Sequence, residues 1–150
     1  MIYLNSHPLS ILSQTSAGAV KALAEEVLAL LEAESANPVQ VLQNRTGIVM
    51  LPYTDSVKGI KFHVGEVLMA EAHVRVNLPS TSVPVEGYGA CMGRDLQQAL
   101  AIALLDAALR ANIHADAIDA FVSAQAALLQ QADDALLHKV EATRVEMETF

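Results

Sequence analysis

The chain has 150 residues, a net charge of −8 and a single cysteine, and each of these narrows what it does. The acidic balance argues against a nucleic-acid backbone or an anionic membrane as ligand, because no excess of Lys and Arg exists to displace counterions. One cysteine, Cys91, excludes an internal disulfide, a four-cysteine zinc site and an iron–sulfur cluster held by this chain alone.

The length fits a single domain able to bury about 68–70% of its unfolded surface. Hydrophobic residues make up 53% of the chain, yet aromatics only 4%, and mean hydropathy is +0.34. Alanine supplies much of that excess, which implies close helix packing and an apolar surface suited to permanent interfaces. Residues 1–20 contain no Lys or Arg, and Ser10, Ser13 and Gln14 interrupt the apolar run, so a signal peptide is not expected. No stretch reaches the roughly 18 apolar residues of a membrane helix. The expected location is the cytoplasm.

Alanine is dense before residue 37 and after residue 98, while Val, Ile and Thr dominate between. This predicts an α+β single domain. Its parts are a helical N-terminal region (1–37), a mainly antiparallel sheet (38–93), helices (94–140) and a terminal strand (141–150). The first clear helix runs over 17–34, where Val20, Leu23, Ala24, Val27, Leu28 and Leu31 follow the helical period. Asn37-Pro38 ends it. Val39–Gln43 and Thr46–Leu51 are short strand candidates, and Pro52–Gly59 reads as a turn or loop.

Glu66–Val76 alternates, with Leu68, Ala70, Ala72, Val74 and Val76 on one face and Met69, Glu71, His73 and Arg75 on the other. Ile60–Val64 shows the same habit. A hairpin around Gly65 would place Lys61 opposite Glu71. Asn77–Pro84 is a polar loop before a strand over 85–92.

Gly93-Arg94-Asp95 leads into a helix over Leu96–Arg110. Asp95 suits the N-cap, and Gln98 three positions on completes a capping-box-like pattern. This helix is apolar almost all round, which predicts enclosure on several sides and, in so small a chain, by partners. His114–Lys139 then gives one long or two broken amphipathic helices. Their buried stripe is Ile118, Phe121, Val122, Leu129, Ala132 and Leu136. The last residues alternate with period two, as a strand pairing outside the domain would.

Gly87-Tyr-Gly-Ala-Cys-Met-Gly93 invites a dinucleotide-binding reading, but the third glycine falls one residue late. A glycine-containing strand bending into a capped helix accounts for it. Arg94 sits where an anion would meet a guanidinium and a helix N-terminus, with Gly93 permitting close backbone approach. Pairing of Arg94 with a turn carboxylate is the alternative. Asp106, within the apolar helix, has Arg110 one turn on as its natural partner. His63, Glu66, Glu71 and His73 form the one metal-like cluster of nitrogen and oxygen donors; without a tight ligand spacing, a polar strip facing solvent or a partner is the stronger reading of them.

The chain resembles the PhnG family, the G subunit of the bacterial carbon–phosphorus lyase system for phosphonate use. The likeness rests on Thr46-Gly47-Ile48-Val49, Phe62-His63-Val64-Gly65-Glu66, Val74-Arg75, Gly87-Tyr88, Gly93-Arg94-Asp95, Ala103-Leu104-Leu105-Asp106-Ala107 and Ala142-Thr143-Arg144-Val145-Glu146. The motif positions are thus Gly47, Gly65, Glu66, Arg75, Asp95, Asp106 and Arg144. The chain departs from the family at Leu96 and Gln98, where Lys and His are frequent, and in a shortened C-terminus.

The resemblance implies a subunit that joins H, I and J subunits and helps the I subunit form a ribose 1-phosphonate 5-triphosphate from MgATP and a phosphonate. The iron–sulfur cluster, S-adenosylmethionine and MgATP then belong to those partners, with no cofactor in this chain. In isolation a homo-oligomer is expected. The rival reading is a free-standing metal-dependent enzyme using His63, Glu66, Glu71 and His73.

Overall fold

The computed structural model describes residues 7–80 and 83–144. A short helix, α1 (Pro8–Gln14), starts with the ring Nδ1 of His7 accepting the Leu9 N–H, and Pro8 stands in the first turn. It buries Ile11 and Leu12. Helix α2 (Ala17–Glu34) follows and buries Val20, Leu23, Ala24, Val27 and Leu31, the period expected of it.

The sheet consists of β1 (Val39–Thr54), β2 (Lys61–Val76) and β3 (Val85–Met92), all antiparallel, in the order β1-β2-β3. The two short strands and the loop expected over 39–59 are instead one strand of 16 residues and a tight turn. The hairpin around Gly65 does not form. Gly65 lies inside β2 opposite Leu51, Lys61 stands opposite Thr54, and Glu71 stands opposite Arg45.

The chain reverses at Asp55–Ile60 because that segment supplies its own turn chemistry. The Asp55 carboxylate accepts the N–H groups of Val57 and Lys58 at 3.3 and 2.7 Å, and the Asp55 N–H donates to the Ile60 carbonyl at 2.9 Å. Gly59 takes φ +68°, a left-handed value that favours glycine. Gly65 has no such geometry, and β2 continues through it; beside it the register with β1 shifts, Leu51 pairing with Gly65 and Pro52 with His63, so that Val64 of β2 is the extra residue.

Only the base of this long hairpin is covered. On β2 the alternating residues Ala70, Ala72, Val74 and Val76 are buried beneath helices, whereas Ile48, Val49, Met50, Leu51, Phe62 and Val64 are exposed. The distal hairpin is therefore a two-stranded arm, apolar on both faces, with Tyr53 and Phe62 meeting edge to face at 5.4 Å.

Helix α3 (Leu96–Arg110) crosses the covered face. It packs on β3, β2 and α2, with α1, α4 and β1 also touching it. Its segment Gln98–Ala108 is almost wholly buried, so the domain itself encloses the apolar helix that composition had suggested partners would enclose. Alanine makes this possible. Gly87 and Gly89 of β3 lie so close to α3 that a Cβ on either would collide with its backbone, at Ala103 and Ala107 for Gly87 and at Ala99 and Ala103 for Gly89. Ala99, Ala103 and Ala107 recur every four residues, the spacing of one helix face.

The turn into α4 (Ala115–Ala142) uses positive φ at Asn112 (56°) and His114 (53°). Helix α4 is unbroken and, at 28 residues, about 42 Å long by the helical rise. Of its expected buried stripe only Ile118 is buried, and Phe121 and Val122 pack partly against the core. From Gln131 to Arg144 every residue is exposed, including Leu136, Leu137 and Val140. The stripe is real as a pattern, but the domain covers only its first turns. The terminal strand expected over 141–150 begins instead as the end of α4 at residues 141–142, and residues 145–150 lie outside the described residues.

Candidate functional site

Two regions gather polar side chains: the uncovered face of the sheet and the corner where β3 turns into α3. On the sheet, alternation places Arg45 of β1, Glu71, His73 and Arg75 of β2, and Glu86 and Tyr88 of β3 side by side. Glu71 is held from three directions. Its Oε1 accepts Arg45 Nε at 2.6 Å and Gln43 Nε2 at 2.8 Å, and its Oε2 accepts the Tyr88 hydroxyl at 3.0 Å. The Arg45 hydrogen bond, followed by that of Tyr88, lowers the Glu71 carboxyl below its usual range. Burial first, and Glu71 second, push the Tyr88 phenol upward.

Glu86 forms the second cluster. Its Oε1 accepts Arg75 Nε and Nη2 at 3.0 and 2.6 Å, and its Oε2 lies 3.0 Å from His73 Nε2. Arg75 holds the Glu86 carboxyl low. The carboxylates on this face are thus committed to cations and hydroxyls of the same chain.

That commitment decides the metal-like cluster. Glu71 and His73 do share a face, but Glu71 is engaged by Arg45, Gln43 and Tyr88, and His73 by Glu86. Glu66 points to the other face by strand alternation, opposite Met50, and His63 stands opposite Pro52 on the distal arm. Among the described residues no three His, Cys, Asp or Glu side chains converge as metal ligands. The expectation of a His63, Glu66, Glu71 and His73 centre is corrected: the four lie along one strand without meeting. Arg45 and Tyr88, which sequence reading passed over, are the residues that organise Glu71. Their signal was the alternation of β1 and β3 once the hairpin register is known.

At the corner, Gly93 adopts φ +98°, a left-handed value, and its N–H bonds to the Leu68 carbonyl at 2.8 Å. Asp95 caps α3 by accepting the Gln98 N–H at 2.9 Å and also binds Lys21 Nζ at 2.7 Å. Lys21, with the Gln98 N–H behind it, depresses the Asp95 carboxyl. Gln98 does not close a capping box. Its side chain is buried and reaches the Thr15 carbonyl at 3.3 Å, linking α3 to the end of α1. Arg94 is exposed, and among the described residues it forms no ion pair. The Cys91 thiol nearby is buried, and burial raises it, so it is held protonated.

Of the remaining motif residues, Asp106 is buried, accepting the Tyr88 backbone N–H and Arg110 Nε, each at 3.0 Å. Gly47 and Gly65 lie on the arm. Arg144 pairs with Glu141 at 3.0 Å on the surface of the last turn. These motif residues do not converge on one cavity.

The motif set is spread across arm, sheet, corner and helix end. The family model described as phosphonate metabolism protein PhnG matches residues 6–150. The chain belongs to the PhnG family. Its role therefore lies in phosphonate metabolism. Among curated proteins none matches the chain. The family model reaches well upstream of Thr46, where the resemblance of motifs began, and so takes in α1 and α2. Among the described residues no helix is long and apolar enough to cross a membrane.

Proposed function

We propose that this chain is a cytoplasmic subunit of the carbon–phosphorus lyase complex, non-catalytic or co-catalytic, and not catalytic alone. It assembles with H, I and J subunits and activates the I subunit for forming a ribose 1-phosphonate 5-triphosphate from MgATP and a phosphonate. The chemistry of the iron–sulfur cluster, S-adenosylmethionine and MgATP resides in the partners.

One observation carries this reading. The carboxylates of the open sheet face, Glu71 and Glu86, and the buried Asp106 are tied up with partners of the same chain, while extensive apolar surface on the arm and on distal α4 stays uncovered. A monomeric enzyme shows the reverse, a concave site with unengaged polar groups and a covered apolar exterior. Arg94, exposed and outside any internal ion pair, is the residue of this chain best placed to meet an anionic substrate group or an acidic partner residue.

The experiment is co-expression of this chain with tagged I subunit, with and without H and J. Stoichiometric capture, and nucleoside-triphosphate turnover by I that rises when the chain is present, is the expected result. Equal turnover by I without this chain would remove the activating role.

A further inference from the structure

Where the arm leaves the body, the open face of the sheet carries a hollow of about 300 Å³. Gly47, Val49 and Met69 form its apolar part, and Arg45, Glu71 and Tyr88 its polar end. The strand register explains the shape. Arg45 pairs with Glu71, Gly47 with Met69 and Val49 with Val67, so these three rows face the same way. Gly47 contributes no side chain, and a Cβ there would meet nothing within 4 Å. The next row, Leu51 with Gly65, carries the apolar strip outward along the arm. From Gly47 to Leu51 this face holds no titratable side chain, and Val49 and Leu51 are about half exposed.

Hydrogen bonding at the polar end is one-sided. Glu71 uses both oxygens, Oε1 on Arg45 Nε and Gln43 Nε2, and Oε2 on the Tyr88 hydroxyl. Among the described residues Arg45 gives only its Nε, so Nη1 and Nη2 keep their N–H donors. The guanidinium is also the outer member of its pair, its side chain 67% exposed against 27% for Glu71. The pair is neutral as a whole, but it turns the cation outward.

We infer that the I subunit docks on this face, laying an apolar strip along Gly47–Leu51 and placing one carboxylate in the hollow, on Nη1 and Nη2 of Arg45. The inference rests on the proposed function and adds to it the face and the chemistry of the contact. A guanidinium held through Nε presents its terminal nitrogens as a fork, which a carboxylate meets with two parallel bonds. Glu71, itself fixed by Gln43 and Tyr88, holds that fork in place before the partner arrives, so docking costs little side-chain freedom. A small anion would satisfy Arg45 but leave the apolar strip beside it in water. A protein surface covers both.

The test is capture of the full chain by tagged I subunit on co-expression. Gly47→Leu fills the hollow from a position with room for the side chain, and Val49→Asp puts a charge on the apolar strip. Ile48→Asp puts the same charge on the neighbouring residue, which is 66% exposed and points to the opposite face. With each variant melting like the parent, Gly47→Leu and Val49→Asp should lower capture at least about tenfold, while Ile48→Asp is captured like the parent. Arg45→Gln should weaken capture and make it less sensitive to salt, because the charged pair across the contact is gone. Capture that survives both Gly47→Leu and Val49→Asp overturns the inference and leaves the proposed function standing. Equal loss with Ile48→Asp overturns it too, since the contact would then not belong to one face. A dimer of the isolated chain in sedimentation velocity that Gly47→Leu abolishes would put a second copy on this face and overturn it likewise. No capture of the parent chain removes the proposed assembly, and this inference with it.

Discussion

The Asp106 carboxylate on α3 accepts the main-chain N–H of Tyr88 on β3 at 3.0 Å, so a helix side chain satisfies a backbone donor of the edge strand. The same oxygen accepts Arg110 Nε from one turn further along the helix. Gly87 and Gly89 on either side of Tyr88 bring the backbones close enough for this bond.

Asp106→Ala leaves that N–H without its acceptor beneath α3. Arg110 is 58% exposed and returns to water readily, so most of the loss arises from the Tyr88 bond. We expect a destabilisation of about 3 kcal/mol in urea unfolding, and about 1 kcal/mol for Asp106→Asn, which keeps an acceptor. A loss below about 1 kcal/mol for the alanine variant would show that the strand finds another partner.

Gly89→Ala puts a Cβ onto the Ala99 carbonyl and Ala103 N–H of α3, which are backbone atoms and cannot rotate away. The helix must lift from the sheet, at about 1–3 kcal/mol or more. Gly47→Ala, with open space around its new Cβ, serves as the contrast and should unfold within about 0.5 kcal/mol of the parent. Equal melting curves for the two variants would contradict the close approach of α3 to β3.

Acid sensitivity follows from Asp95. Lys21 and the Gln98 N–H lower its carboxyl in the folded state from the ordinary value of 3.8, so the folded protein binds that proton less readily than the unfolded chain. The stability this contributes is complete above the unfolded value and disappears as pH falls through the lower folded value. Asp95→Asn should therefore flatten the fall in stability below pH 4, a window set by the same value of 3.8. Urea titrations from neutral pH downward measure it. Parallel curves for parent and variant throughout would place the acid response elsewhere, with Glu71 and Glu86, also held low by arginines, as the next groups to replace.

Sequence reading located what is one-sided. Helix α2, the Asp95 cap and the alternation of Leu68–Val76 are legible because burial on one face imposes a period. The arm was not legible for the same reason. Ile48-Val49-Met50-Leu51 is apolar without alternation since neither face is covered by the domain, and such a run reads as a buried strand. The turn expected over Pro52–Gly59 does lie at Asp55–Gly59, but its first three residues are strand, and a second reversal at Gly65 was expected because nothing local shows that β2 continues through that glycine. Long-range pairs were equally hidden. Nothing in the local sequence announces that Gln98 reaches Thr15, that Lys21 meets Asp95, or that Arg45 and Tyr88 converge on Glu71. The Gly87-Tyr-Gly spacing was visible, but its purpose needed the four-residue alanine stripe on the packed helix.

Arg94 is the residue expected to matter beyond scaffolding. Gly93 turns the chain at φ +98°, leaving the Arg94 side chain exposed at the start of α3. Its neighbour Asp95 is already occupied by Lys21 and the helix cap, so it does not claim the guanidinium. Arg94→Ala should consequently fold and enter the complex with the I subunit like the parent chain. In that complex we expect nucleoside-triphosphate-dependent turnover to fall at least about tenfold, equivalent to about 1.4 kcal/mol of transition-state stabilisation. Arg94→Lys keeps the charge but loses the planar two-pronged donor, and should recover only part of the rate. Steady-state turnover of the assembled complexes, with assembly checked by size-exclusion chromatography, separates the cases. A fully active, fully assembled Arg94→Ala complex would confine this chain to scaffolding, and poor assembly of both variants would make Arg94 a partner contact instead.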